Sequence, residues 1–524
     1  MKVMQSPTQA FRMLYGKIRG EWKVAFLACL ITGLIVHMPV LLSDIPNHDG
    51  LDSMYFDQNM ITSGRWFLTV ACGISSYYTL PWIIGLLGLL YLSCGAAVIC
   101  EILEVRRKWS AAVCGGLLAA FPALASTFGY VFTLDGYMLA LLLAVLSVLF
   151  TKKYRMGFLP GAVCLAFSMG IYQGYLSFAM ILSVFAILML FASREEKERP
   201  VWKIKGALRY LWMGILGAAL YYGILQVLLK IQGKELADYQ GIGEMTSGAA
   251  SAAGLFSTVK EMYADFFRFT LKGNVLFQNF FSVSACILLA ITAGLAVLFL
   301  FRKRKGWKNP VFFVIIIVAA VILPLLTNII LLISPSVTYH LLMRYQWILY
   351  VIGAVALVSG SCGDSDGLCS WMEWTAFVGA FVLIFCYCIT DNIAYSNLQK
   401  RYEKTYAYCI RLLDRIEQTE GYYPGIPVAM IGVVGDESFP KTDITLPVTS
   451  NMIGMNGDFL LYTGKNYEIF IRNYLGATLN ILPQEAMEKM YYSQEYIAMD
   501  SFPGKNSICV IDGIMYVKTE NVNR

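Results

Sequence analysis

Eleven long apolar runs in the first 390 residues constrain the fold of this chain more than any other feature. They fall at about 23–43, 79–100, 110–128, 134–150, 157–171, 174–192, 207–230, 279–301, 310–333, 344–360 and 372–390. A helix needs roughly 20 apolar residues to cross a bilayer. Inside the hydrocarbon every backbone N–H and C=O must be paired within the segment, so runs of this length predict helices. Composition agrees: 57% of residues are hydrophobic and 15% charged, against about half and a quarter in soluble domains. The first run lacks a small-residue cleavage site and exceeds a signal-peptide core, so it is expected to stay as a helix. Only Tyr172-Gln173-Gly174-Tyr175 separates the fifth run from the sixth, which predicts a tight hairpin.

The net charge of +6 comes from short basic blocks between apolar runs, not from one basic domain. No nucleic-acid partner is expected; the blocks read as topology signals. Lys2, Arg12, Lys17, Arg19 and Lys23 precede or open the first run, and every second connection is basic, as in "EVRRKW" and "FRKRKGWK". The positive-inside rule therefore predicts a cytoplasmic amino terminus and an external carboxyl tail. One connection, "SCGDSDGLCSWME", carries no basic residue and dissents. Most of the 13 cysteines lie inside apolar runs, where cysteine acts as a small hydrophobe, and no disulfide framework or zinc knuckle is readable.

After Asp391 the composition becomes mixed, which divides the chain into 1–390 and 391–524. Leu398, Tyr402, Cys409, Leu413 and Ile416 share one helical face. "IPVAMIGVV" and "SICVIDGIMYVKT" read as strands, with "EIFIRNYLG" and "QEAMEKMYY" as helices between them. The expected fold class is an all-α polytopic membrane protein with a small carboxyl-terminal α/β domain. "GVVGD" lacks the full dinucleotide fingerprint and reads as a turn after a strand.

The chemistry points to the predicted outer end. His37, His48 and His340 all map there, as do Asp44, Asp49, Asp52, Asp57 and Asp135. In the first outer loop, "IPNHDGLD" sets His48 beside Asp49 and Asp52. Further along, Phe56, Met60, Ile61, Phe67 and Val70 recur at near-helical spacing with Trp66, which predicts a helix lying in the membrane interface. No nucleotide loop, thiol–histidine pair or serine elbow is present. A lipid-linked phosphosugar suits such a chain, because the membrane delivers it and its phosphate is already a good leaving group. The site then needs a carboxylate to take a proton from the acceptor hydroxyl, Asp49 or Asp52. It also needs a cation for the departing phosphate, from Arg65, Arg344, Lys272 or Arg268. Tyr172 and Gln173 are candidates for sugar hydroxyls or simply a polar turn, and Asp135 either starts a helix or points into a cavity. His48 and His340 complete the substrate-facing set. No ligand spacing supports a metal, and no cofactor is expected.

"NHDGLDSMYFDQNMITSGRWFL", "FGYVFTLDGYMLALLLAVLSVLF" and "GAVCLAFSMGIYQGYLSFA" resemble the bacterial Gtr-type glucosyltransferases that modify O-antigen, within the GT-C class of polytopic transferases. The resemblance implies transfer of glucose from a polyprenyl-phosphate-sugar donor to a surface glycan or lipid-linked acceptor, with inversion, at the outer face of the bacterial cytoplasmic membrane. The family often shows adjacent aspartates near a Gly-Arg. Here they are split as Asp49 and Asp52, with Gly64-Arg65 downstream, so the resemblance does not choose the base. A lipid-linked glycan transporter is the alternative from another class. It would be expected to carry charges at mid-membrane in repeated, broken helices. A glycan polymerase or ligase shares the outward site, but would more typically carry a long outer loop rich in arginine and histidine.

Overall fold

The computed structural model describes residues 6–51, 57, 59–192, 200–237, 252–273, 276, 279–303, 310–334, 337–362, 367–431, 446–457, 460–461 and 463–519. Each of the eleven apolar runs forms a helix. These are α1 (Gly20–Leu42), α2 (Pro81–Ile102), α3 (Lys108–Ala120, continued by Pro122–Phe128), α4 (Leu134–Lys153) and α5 (Phe158–Ile171). Then follow α6 (Leu176–Ala192), α7 (Pro200–Gln232), α8 (Phe280–Lys303), α9 (Pro310–Thr327), α10 (Ile348–Ser361) and α11 (Gly367–Glu417). Among the described residues, eight helices are long and apolar enough to cross a bilayer. The two parts of α3 qualify together, while α5 and α9 are shorter apolar helices. The protein is a multi-pass membrane bundle.

The bend of 47° in α3 has a local cause. Pro122 has no N–H, so the preceding turn loses a hydrogen bond and the carbonyls of Leu118 and Ala119 are left over. The Tyr345 hydroxyl donates to Leu118 O at 2.5 Å and the His37 Nε2–H to Ala119 O at 2.9 Å. That fixes the imidazole tautomer: Nδ1 accepts the Tyr395 hydroxyl at 2.6 Å. His37 is thus a fully buried part of the bundle, stacked on Phe128.

Successive helices alternate in direction. The first loop, the turns 129–133 and 172–175, and residues 337–340 therefore gather at one end, together with the carboxyl-terminal domain. The turns 103–107 and 154–157 lie at the opposite end. The last helix departs from expectation. It does not stop near residue 390 but runs unbroken for 51 residues, out of the bundle and into the domain. Asp391, expected just past the last span, is fully buried, and neither carboxylate oxygen has a hydrogen-bond partner.

In the domain, β1 (Pro427–Ile431), β2 (Asn480–Ile481), β3 (Ile508–Ile511) and β4 (Ile514–Lys518) form one sheet in the order β2-β1-β4-β3. β1 is parallel to β2 and β4, and β3–β4 is an antiparallel hairpin. One face packs on Tyr408, Leu412 and Ile416 of α11, the other on Tyr496 and Met499. The helices expected from "EIFIRNYLG" and "QEAMEKMYY" are present at Gly464–Phe470, which continues to Leu475, and at Gln484–Tyr491.

The interfacial helix expected in the first loop is replaced by two short pieces, Ile61–Ser63 and Leu68–Gly73, with Phe56 outside the described residues. Trp66 explains the difference. Its indole is not an interface anchor but is 8% exposed, packed on Phe167, Leu225 and Leu229. Burying that side chain forces the backbone into a turn.

Candidate active site

Two clusters form at the domain-bearing end, one on each side of the turn 129–133. The first is "IPNHDGLD". The Asn47 side chain accepts the Gly50 N–H and donates to Gly129 O, both at 2.7 Å, and is 1% exposed. This fixes a single helical turn, His48–Leu51. Asp49 projects from it with its side chain 56% exposed, and His48 Nε2 lies 3.4 Å from the Asp49 carboxylate. Burial lowers the His48 pKa below its ordinary value; Asp49 opposes that shift and Arg401 adds to it. An imidazole beside an open carboxylate can accept or pass on a proton. Asp52 lies outside the described residues.

The second cluster is built around Arg65. Residues 60–65 form a tight turn in which Arg65 N–H donates to Met60 O at 3.1 Å and Gly64 takes φ +78, a conformation glycine adopts without strain. The Gln173 amide donates to Ser63 O and to the Tyr221 hydroxyl, and that hydroxyl donates to Gly64 O. Phe67 N–H donates to Gly170 O at 2.7 Å, and a Cβ at Gly170 would lie 2.6 Å from the Trp66 ring. So held, Arg65 donates to the Tyr137 hydroxyl at 3.3 Å and lies 5.2 Å from the Tyr172 ring centre. Tyr137 and Tyr172 are themselves stacked, with centroids 4.5 Å apart.

Arg65, Tyr172 and Gln173 line a cavity of about 420 Å³. Its other walls are largely apolar: Ala218 to Leu225 of α7, Ile329 to Ile333, and Val337. Tyr130 connects the two clusters. It lies within electrostatic reach of the Tyr172 phenol and follows Gly129, which binds Asn47.

The remaining predicted residues sit apart. Asp135 is 1% exposed in the first turn of α4, where its Oδ1 accepts the Gly136 N–H at 2.8 Å. Arg344 is a closed ion pair: its two terminal nitrogens donate to the two oxygens of Asp265 at 2.7 and 2.8 Å, and its guanidinium sits 3.8 Å from the Tyr339 ring centre. His340, half-buried, precedes the turns Leu341–Trp347, and burial lowers its pKa. Arg268 pairs with Glu261 at 3.5 Å, both well exposed. Sequence reasoning missed Asp265, Tyr137 and Tyr221. Asp265 lies in the helix Ala252–Lys272, an acid on the buried face with Met262 and Phe269, a signal that was available; the tyrosines carried none.

The family model for Glucosyl transferase GtrII matches residues 38–359. The chain belongs to the GtrII glucosyltransferase family. No curated protein and no solved structure matches it. The GtrII match starts near the end of α1 and ends near the end of α10, so it takes in both clusters. The final helix and the α/β domain lie beyond it. Membership makes the protein a glycosyltransferase and favours that class over a transporter.

Proposed function

We propose that this GtrII-family protein transfers glucose, or a similar hexose, from a polyprenyl-phosphate donor to a cell-surface glycan or lipid-linked acceptor, with inversion at the anomeric carbon. The observation that carries the reading is the Arg65 guanidinium at the edge of an apolar cavity. A prenyl chain suits walls of leucine, isoleucine and alanine, and a phosphate suits a guanidinium already oriented by Tyr137. The basic connections support a cytoplasmic amino terminus, which turns both clusters and the α/β domain to the extracytoplasmic face of the cytoplasmic membrane.

In the proposed step, an acceptor hydroxyl attacks the anomeric carbon from the face opposite the phosphate. The new C–O bond forms as the bond to the phosphate oxygen breaks, and its electron pair leaves with the phosphate. Asp49 or Asp52 takes the hydroxyl proton. Arg65 stabilises the charge gathering on the phosphate, and Tyr172 forms the aromatic shelf beside it. Gln173 acts indirectly, by holding the turn that presents Arg65.

The test is transfer of radiolabelled glucose from synthetic undecaprenyl-phosphate-glucose to membrane glycan. Wild type is compared with Asp49→Asn and Asp52→Asn. A general base contributes about 10²–10⁴-fold, so one of the two variants is expected to lose transfer on that scale. Undiminished transfer by both removes the proposed base. Transfer by wild type from a sugar nucleotide but not from the lipid donor removes the proposed donor.

A further inference from the structure

We propose that the α/β domain is a positioning device for the base loop, with Leu51 as its anchor and residues 451–457 as a strap. This rests on the assignment of the base to Asp49 or Asp52. Leu51 belongs to the first loop, yet it is 2% exposed inside the domain's own core, where its helical turn packs on Gly464–Phe470. Asp49 is two residues before it, so this candidate base is tethered by one buried side chain, and Asp52 is the next residue in sequence.

The strap makes the reverse connection, from the domain into the bundle. Met452 and Met455 are fully buried in the bundle core, and Leu341 N–H donates to Asn451 O at 3.3 Å. Two buried side chains of α11 fasten it: Asn397 donates to Met455 O at 2.8 Å, and Arg401 donates to Asn456 O at 2.6 Å and to Gly454 O. Gly454 has φ +83, and a Cβ there would lie 2.9 Å from the Tyr130 ring and 3.1 Å from the Asn47 amide nitrogen. The strap therefore threads between the residue that caps the base-loop helix and the tyrosine next to the Arg65 shelf.

The arrangement makes physical sense. A helix of four residues has no stability of its own. Its side chains hold a fixed direction only because Asn47 ties it to the bundle and Leu51 ties it to the domain. Arg401 also places a buried positive charge near His48, the neighbour of Asp49. The domain lies outside the family match, so the base loop is held in part by a region the family model does not include.

The experiment uses the full-length protein and compares Leu51→Met, Leu51→Ala and Leu412→Ala. Leu412 is fully buried in the same core but is carried by α11 and not by the loop. Both alanine variants are expected to lose similar thermal stability. Only Leu51→Ala is expected to lower kcat, by about tenfold or more, since small misplacements of reacting groups cost up to about 10²-fold. Binding of undecaprenyl phosphate is expected to stay within twofold of wild type, and Leu51→Met to restore kcat. Hydrogen exchange gives a readout independent of transfer: the Gly50 amide should lose protection in Leu51→Ala and keep it in Leu412→Ala. Equal kcat losses in the two alanine variants, or unchanged Gly50 protection, would overturn the positioning role. Full transfer by both aspartate variants would instead remove the base assignment, and the exchange result would still report whether the domain holds the loop.

Discussion

The bundle carries a cavity at each end, and the larger is not the one that fits the chemistry. At the end away from the domain, about 690 Å³ opens between α6 and α10, beneath the turn that holds Arg106 and Arg107. Those two arginines are engaged with Glu101 and Glu373 at 3.2 and 3.4 Å. The domain-bearing cavity, at about 420 Å³, is smaller, but Arg65 lines it on a shelf of two stacked tyrosines. Volume measures where a lipid chain can rest. A held cation facing that volume, at the end that also carries an exposed carboxylate loop, is where we propose the phosphate leaves.

Variants at the two ends should separate sharply. Arg65→Ala removes the proposed phosphate contact and should lower transfer by about 10²–10³-fold, the usual scale for losing an electrostatic stabiliser of the transition state. Retained transfer would break the comparison. Arg344 sharpens it from the same end of the molecule, because its charge is spent on structure. Asp265→Ala leaves a buried guanidinium unpaired and should cost about 3–5 kcal/mol in thermal unfolding in detergent, while Asp265→Leu combined with Arg344→Met should recover most of that. Tyr172→Leu removes one ring from the shelf and should weaken donor binding by about tenfold or less, with Tyr172→Phe close to wild type. Arg106→Ala with Arg107→Ala, at the larger cavity, should leave transfer within about threefold of wild type, as expected for exposed, paired charges.

Acidification gives the smallest effect. Burial lowers the His48 pKa in the folded protein below the 6.5 near which the unfolded chain titrates. Below that value the unfolded state binds more protons, so His48's contribution to stability is present at neutral pH and lost as pH falls. His48→Gln should flatten the acid side of a stability profile without moving the neutral side.

What could be read from sequence follows from how local each signal is. The eleven apolar helices were legible because a long apolar run fixes a helix whatever its neighbours do. "SICVIDGIMYVKT" reads only as strand; Asp512-Gly513 between alternating apolar residues is the turn signal that folds it into the β3–β4 hairpin. Arg65, Tyr172 and Gln173 were each picked out separately, but that Gln173 grips the Arg65 turn from 110 positions away is a tertiary fact. Trp66 was misplaced for the same reason: periodicity cannot distinguish a tryptophan facing headgroups from one facing Gly170. Arg344 carried no sign that Asp265, 79 residues earlier, would close on it. Leu51 looked like an ordinary loop leucine because the core that buries it is built more than 350 residues later.

A photoreactive polyprenyl phosphate, carrying a diazirine on its chain and incubated with the protein in detergent or nanodiscs, tests the donor site most directly. Crosslinks should fall on residues 218–225 of α7 and on residues 329–337, be displaced by undecaprenyl-phosphate-glucose, and weaken in Arg65→Ala. Crosslinks confined to residues 185–192 and 353–360, around the larger cavity, and indifferent to Arg65 would contradict the account.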